Sequence, residues 1–272
     1  MQNDPTLKEK VKEFWDEKSC GEIYATGQSE RAYYESQSKA IYELTPYLVD
    51  FAKFNEGKDK DVLEIGTGMG ADHAEWAKSE PKSLTGIDLT PRAIEHTKKR
   101  FELLGLNSDL KTADAEHLPF DNESFDLVYS FGVLHHSPNT PQAVGEVFRV
   151  LRPGGVTKIM IYHKYSLTGY MLWMRYGLFT ARPFRSLNDI YFNHLESLGT
   201  KCYSISEAKN MFSRFNKVDI SIQFSQGDLL EGAAGQRHRG LLLSAARILW
   251  PRWIIKKLFK NHGLFLLIEA HK

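Results

Sequence analysis

The chain has 272 residues, 42% hydrophobic and 25% charged, which excludes a disordered or collagen-like polymer and suits one large α/β domain with additions. Its 35 Lys and Arg nearly balance 34 Asp and Glu, so no global field draws it to nucleic acid, and no nucleic-acid recognition motif is present. Two cysteines, Cys20 and Cys202, cannot make a disulfide framework or a four-thiolate zinc site and read as reduced thiols.

Residues 1–18 place Leu7, Val11, Phe14 and Trp15 on one face of an amphipathic helix. Residues 19–27 are small and turn-prone, and 29–54 read as helix with a new turn near Pro46. From Asp61 the pattern alternates. Strands are expected at 61–65, 83–89, 110–113, 125–131 and 156–162, with a turn at 152–155. Helices are expected at 71–78, 90–104 and 141–150, the second capped by Thr90 with Pro91 at its first position. Such alternation implies right-handed crossovers and a mostly parallel sheet. Residues 163–215 are helical and aromatic-rich, and late strands follow at 218–224 and 264–269.

The most apolar stretch, 167–181, carries Arg175 and falls short of the roughly 20 residues a spanning helix needs. The polar opening MQNDPTLKEK lacks the apolar core of a secretory signal. Both features point to a cytoplasmic protein.

The sharpest chemical signal is Glu64-Ile65-Gly66-Thr67-Gly68-Met69-Gly70, a strand running through glycines into a helix. Glycines let the backbone turn tightly and approach a ligand where a β-carbon would collide. The spacing is GxGxG rather than the GxGxxG of dinucleotide enzymes, which disfavours an NAD-dependent oxidoreductase. Asp88 ends the second strand, where a carboxylate can accept both hydrogen bonds of a ribose diol or simply cap a helix. Asp114 and Ala115 end the third strand, where a carboxylate and a backbone N–H can read an adenine edge. The adjacent His135 and His136 follow the fourth strand. Adjacent histidines suggest metal, but no Asp or Cys cluster accompanies them in sequence, so no metal is expected.

The run DVLEIGTGMG, TGIDLT, ADAEHLPF, SFDLVYSFGVLHH and LRPGG resembles the class I S-adenosylmethionine-dependent methyltransferases, notably the bacterial group of ubiquinone and menaquinone methyltransferases. The resemblance covers about residues 60–162. It implies an α/β, Rossmann-like fold: a seven-stranded, mostly parallel sheet with an antiparallel last strand, plus a helical cap. It divides the chain into an N-terminal helical lid (1–54), a cofactor-binding core (55–162), a helical cap (163–215) and a closing segment (216–272) that holds the last strands and a basic amphipathic insertion. It also implies S-adenosylmethionine as cofactor and S-adenosylhomocysteine as product. Gly66, Thr67, Gly68 and Gly70 match the loop under the methionine part, and Glu64 the acid at its amino end. Asp88 matches the ribose acid, Leu89 the residue on the adenine, and Asp114 and Ala115 the adenine-edge pair. Ser130 and His135 match positions lining the transfer crevice. Tyr24 and the loop around it are implied as a cover over the cofactor.

A base is needed only if the acceptor arrives protonated. His135, Tyr162 and His163 are the catalytic candidates, with His136 beside them, because they follow the ends of strands. In the cap, His194 and Glu196 could reach the crevice or lie on a helix surface. The expected acceptor is a small or medium-sized molecule in an enclosed pocket: a small thiol or sulfide, or a quinone-, polyketide- or lipid-like hydroxyl or carbon. The competing class is a non-catalytic cofactor-binding or membrane-associated partner protein. Residues 232–268 hold no Asp or Glu but seven basic residues interleaved with Trp250, Trp253, Ile254, Leu258 and Phe259. That stretch, centred on 237–260, could touch an anionic membrane or pack as a cap helix with solvated cations.

Overall fold

The computed structural model describes residues 5–231 and 250–272. Its strands are β1 (Asp61–Ile65), β2 (Ser83–Asp88), β3 (Asp109–Thr112), β4 (Phe125–Phe131), β5 (Leu151–Tyr162), β6 (Lys217–Gln223) and β7 (Phe265–His271). They form one sheet in the order β3-β2-β1-β4-β5-β7-β6. Strands β1 to β5 pair in parallel, and β7 inserts antiparallel between β5 and β6. The fold class is the one the sequence implies. All five residues of β1 are buried, as in a parallel strand covered on both faces.

Alternation along the strands sorts two cores. Leu63, Ile65 and Val128 face α6 (Thr140–Val150) through Val144 and Val147. Val62, Leu127 and Tyr129 face the other way, against Trp76 of α4 (Ala71–Lys78) and Phe101 of α5 (Pro91–Leu104). Thr90 caps α5 by accepting from the Ala93 N–H, and Gly105 ends it in the left-handed region.

Three boundaries differ from the sequence reading. The turn at 152–155 is a bulge within β5: Phe125 pairs with Leu151, but Leu127 pairs with Val156. Helices α2 (Glu30–Leu44) and α3 (Tyr47–Ala52) flank the sheet rather than the crevice. Leu48 and Ala52 join the Trp76 core, and Tyr42 donates to Asp72 of α4 at 3.0 Å. Of the segment 1–54, the part that covers the crevice is therefore α1 (Pro5–Glu17) and the residues just after it. Likewise α9 (Ile205–Met211) buries Ala208 against the α6 core, so it belongs to the sheet's helical layer and not to the cap.

The cap proper is α7 (Leu167–Tyr176) and α8 (Leu187–His194), packed on Met160, Tyr162 and Leu267 through Leu172, Ile190 and Tyr191. Short α10 (Gln226–Leu229) and α11 (Arg252–Leu258) lie between β6 and β7. Asp228 ties this region together by accepting from the Thr168 and Leu264 N–H groups. Of the basic stretch, Arg237, Arg239 and Arg247 lie outside the described residues. Among the described residues no helix is long and apolar enough to cross a membrane.

Candidate functional site

A crevice of about 900 Å³, part of it open to solvent, runs over the carboxyl ends of β1, β2, β3 and β4. This is where open α/β sheets bind ligands. The three loop glycines each have φ above +50°, but for different reasons. A β-carbon on Gly66 would stand 2.1 Å from Val133 Cγ2, and one on Gly70 would stand 2.9 Å from Thr97 Cγ2. A β-carbon on Gly68 would meet nothing within 4 Å, because that residue faces the crevice. Gly66 and Gly70 thus serve packing, and Gly68 leaves room for a ligand. Arg100 braces the back of the loop, donating to the Met69 carbonyl at 2.7 Å.

Gly66, Gly68, Asp88, Leu89, Asp114 and Ala115 line the crevice. Asp88 accepts from the Gly68 N–H at 3.1 Å and from the Thr90 N–H and hydroxyl at 2.9 Å each. Burial pushes its pKa up, against those hydrogen bonds, which favour the carboxylate. The open space at Gly68, with carboxylates at two successive strand ends, fits an adenosine bearing an amino-acid tail.

Several assigned residues do not line this crevice. The Glu64 carboxyl turns into the core, 2.9 Å from His73 Nδ1. His73 Nε2 lies 2.7 Å from Ser108 Oγ, whose hydrogen goes to the Leu84 carbonyl. His73 Nε2 therefore donates, Nδ1 accepts, and Glu64 carries the proton. Burial supports this by raising Glu64 well above the usual range and lowering His73 to about 3. Thr67 packs on Thr97, Ser130 is fully buried and donates to the Ile65 carbonyl, and Tyr24 donates to Gln226 at 3.1 Å.

The catalytic candidates separate similarly. Tyr162 and His163 are consecutive in an extended chain, so their side chains diverge. His163 Nδ1 meets the Gly263 carbonyl at 3.1 Å, away from the crevice. Tyr162 donates to Glu196 Oε2 at 2.7 Å; burial and then Glu196 raise its pKa well above the usual value, so it is a donor rather than a base. His135 is fully buried between Tyr162 and His136, with ring centroids 3.8 and 4.2 Å away and neither nitrogen hydrogen-bonded. Burial drives its pKa far down, keeping it neutral.

The histidine on the crevice wall is His136. Its Nδ1 lies 3.0 Å from Ser197 Oγ and 3.1 Å from Thr200 Oγ1. Thr200 gives its hydrogen to the Ser197 carbonyl, so its oxygen accepts from His136 Nδ1–H. Nε2 is buried, 3.3 Å from Glu196 Oε2 but off the line of a hydrogen bond. Glu196 arrives just after α8, while His194 stacks on Tyr176. The cap thus supplies the carboxylate missing beside the histidines in sequence. His135, His136 and Glu196 present ligand atoms within 4.8 Å of one another, so this set could also accept a cation.

Helix α1 lies over the crevice. Lys8, Val11 and Trp15 line it, followed by Ser19 and Cys20. Lys8 bridges Asp114 and Glu116, and the Trp15 ring sits edge-on to His136 with centroids 5.1 Å apart. Cys20 borders the crevice and stays exposed. Desolvation by the surrounding chain, then Glu196 and Asp88, push its thiol up to about 12, away from the thiolate form a nucleophile needs. An amphipathic stripe legible in the sequence contains Val11 and Trp15, but nothing local says which surface it covers. Lys8, Ser137 and Pro138 carried no sequence signal of their own, whereas the wall from Phe131 to His136 lies in the run SFDLVYSFGVLHH.

This fold, with its crevice over the strand ends, is the Rossmann-like arrangement that solved methyltransferases share. Residues 63–159 match the family described as methyltransferase domain, and S-adenosylmethionine is the cofactor of that family. A phthiotriol/phenolphthiotriol dimycocerosates methyltransferase of Mycobacterium tuberculosis is 44% identical over 116 residues, 42% of this chain and 40% of that one. Erythromycin 3''-O-methyltransferase of Saccharopolyspora erythraea is 37% identical over 125 residues, 44% of this chain and 40% of that one. The chain thus matches about two fifths of these relatives' length. In structure, a Haemonchus contortus phosphoethanolamine N-methyltransferase complexed with S-adenosylhomocysteine superposes with a TM-score of 0.59 at 14% identity, over 96% of this chain and 60% of that one. At that identity the likeness is one of fold.

Proposed function

We propose that the protein transfers a methyl group from S-adenosylmethionine to a hydroxyl of a lipid- or polyketide-like acceptor. The cofactor supplies the methyl group on a sulfonium, already a good leaving group. The chain's residues bind, orient and exclude water. Gly68, Asp88, Leu89, Asp114 and Ala115 hold the cofactor, and α1 closes over it. His136 Nε2 takes the hydroxyl proton. Ser197 and Thr200 keep Nδ1 protonated, and Glu196, itself steadied by Tyr162, balances the charge the imidazole acquires.

The observation that carries this reading is His136 itself: a histidine of the crevice wall whose Nδ1 meets two hydroxyls and whose Nε2, buried behind the wall, lies 3.3 Å from a carboxylate. The apolar wall, with Val11, Trp15, Ile65, Phe131, Val133 and Leu134, supports an apolar acceptor. So do the two relatives named for dimycocerosates and erythromycin.

The test incubates the full chain with methyl-labelled cofactor and a panel of hydroxylated polyketides and long-chain diols, with thiols and amines as controls. Label on a hydroxyl product, lost in His136→Asn with S-adenosylhomocysteine affinity retained, is expected. Label only on thiols or amines, or none with any acceptor, overturns the acceptor class.

A further inference from the structure

The outer face of the cap carries features that the crevice does not use. Phe184 is 99% exposed and Phe179 76% exposed, in the turn between α7 and α8. Met174 and Leu178 are exposed beside them, as are Arg175 and Arg182. On α11 and just after it, Trp253 and Leu258 are 73% and 69% exposed, among exposed Lys256, Lys257 and Lys260. Apolar side chains this exposed lower solubility unless something covers them.

Helix α11 packs against the start of α7, whose other end leads into the turn that carries Phe179 and Phe184. Ile255 of α11 packs on Leu167 at the start of α7. The Leu167 N–H donates to the His262 carbonyl at 2.9 Å, and His262 Nδ1 lies 3.3 Å from the Tyr170 hydroxyl. The charge here is one-sided. Residues 163–188 and 250–268 contain no Asp or Glu, in a chain whose net charge is only +1. Asp189, Glu207 and Glu231 from flanking segments pair with Arg185, Lys164 and Arg252, so the cationic excess of this region rests on Arg175, Arg182, Lys256, Lys257 and Lys260.

We infer that this face docks on an anionic lipid bilayer. Aromatic and aliphatic tips ringed by cations, with no carboxylate of their own, match an interfacial surface. Such a surface sinks its apolar groups to the headgroup–acyl boundary and sets its cations against anionic headgroups. A nucleic acid would use the cations but leave Phe179 and Phe184 in water. A second copy of the chain would bring the same positive charge against itself. The docking adds to the proposed methyl transfer without depending on it, since it is measured with no turnover. It would hold the cap, followed directly by Glu196 beside the crevice-lining His136, at a lipid surface.

The experiment co-sediments the full chain with phosphatidylcholine vesicles and with vesicles containing one quarter phosphatidylglycerol. Binding to the anionic vesicles is expected to exceed that to the neutral ones at least tenfold, and to weaken as salt rises. The double variant Phe179→Ser/Phe184→Ser lowers partitioning on the order of tenfold. Lys256→Gln and Lys257→Gln lower it about fivefold each. S-adenosylhomocysteine binding unchanged in all variants shows that they fold. Equal binding to both vesicle types, or none, overturns the proposal. So do patch variants that bind as tightly as the parent chain. A dimer that dissociates in Phe179→Ser/Phe184→Ser, or duplex DNA bound in place of vesicles, overturns it by showing a different occupant.

Discussion

Lys8 Nζ stands 2.6 Å from Asp114 Oδ2 and 2.8 Å from Glu116 Oε2, so the first helix is pinned to the tip of β3 where the adenine edge would be read. Both Lys8 and Asp114 are about a quarter exposed, which limits the pair to about 1 kcal/mol. Lys8→Met should weaken S-adenosylhomocysteine binding about fivefold by calorimetry. Burial alone would raise Glu116, but the Lys8 and Ser137 hydrogen bonds outweigh it and hold its pKa below the ordinary 4.5. A carboxylate depressed on folding contributes stability above its unfolded pKa and loses it as pH falls through the folded one. The difference between parent and Lys8→Met should therefore persist at neutral pH and shrink below pH 4.5. Identical affinities at pH 7 would show that α1 does not act as a latch.

In the proposed reading Asp88, on the crevice wall, is the acid that meets the ribose diol. Asp88→Ala should cost about 1.5–3 kcal/mol of cofactor affinity, the usual loss for charge-assisted hydrogen bonds. Thermal unfolding without ligand controls for the lost bonds to Gly68 and Thr90. A variant that binds S-adenosylhomocysteine like the parent removes Asp88 from the cofactor site.

His136→Asn and Glu196→Gln should lower kcat by about 10²–10⁴-fold and 10-fold or more, respectively, with cofactor affinity retained. His163→Asn should leave kcat within about threefold, because its ring serves the Gly263 carbonyl outside the crevice. Loss in His163→Asn with full activity in His136→Asn would reverse the assignment.

Glu64→Gln keeps a donor toward His73 Nδ1 and removes a charge that burial disfavours. A buried acid raised on folding loses stability as pH rises from its unfolded value toward its folded one. Glu64→Gln should therefore match or exceed the parent's melting temperature at pH 8, while binding S-adenosylhomocysteine normally. A tenfold loss of binding would mean that the carboxyl leaves His73 to meet the cofactor.

Gly66→Ala sets a β-carbon 2.1 Å from Val133 Cγ2 and forces alanine to a φ of about +85°. Overpacking and the left-handed backbone together should cost about 2–5 kcal/mol in chemical denaturation. Adding Val133→Ala should recover part of the overpacking share but none of the backbone share. Full recovery would show that the backbone conformation is not a constraint here.

The strand–glycine–helix unit from Asp61 to Lys78, the Thr90 cap, Asp88 at the end of β2 and Asp114 after β3 were legible in the sequence. Each depends on a few neighbouring residues: alternating burial, a β-carbon that a turn forbids, a side chain that meets the next N–H groups. The tertiary structure alone decided which groups meet in the crevice. Packing against Tyr162 withdraws His135 and leaves His136 on the wall. Strand alternation turns Tyr162 and His163 to opposite sides once the register of β5 is set. Glu196 comes from beyond α8, and Lys8 from the start of the chain, to sites far from them in sequence. Those positions follow from how whole helices settle on the sheet, a sum over many contacts that no local spacing encodes.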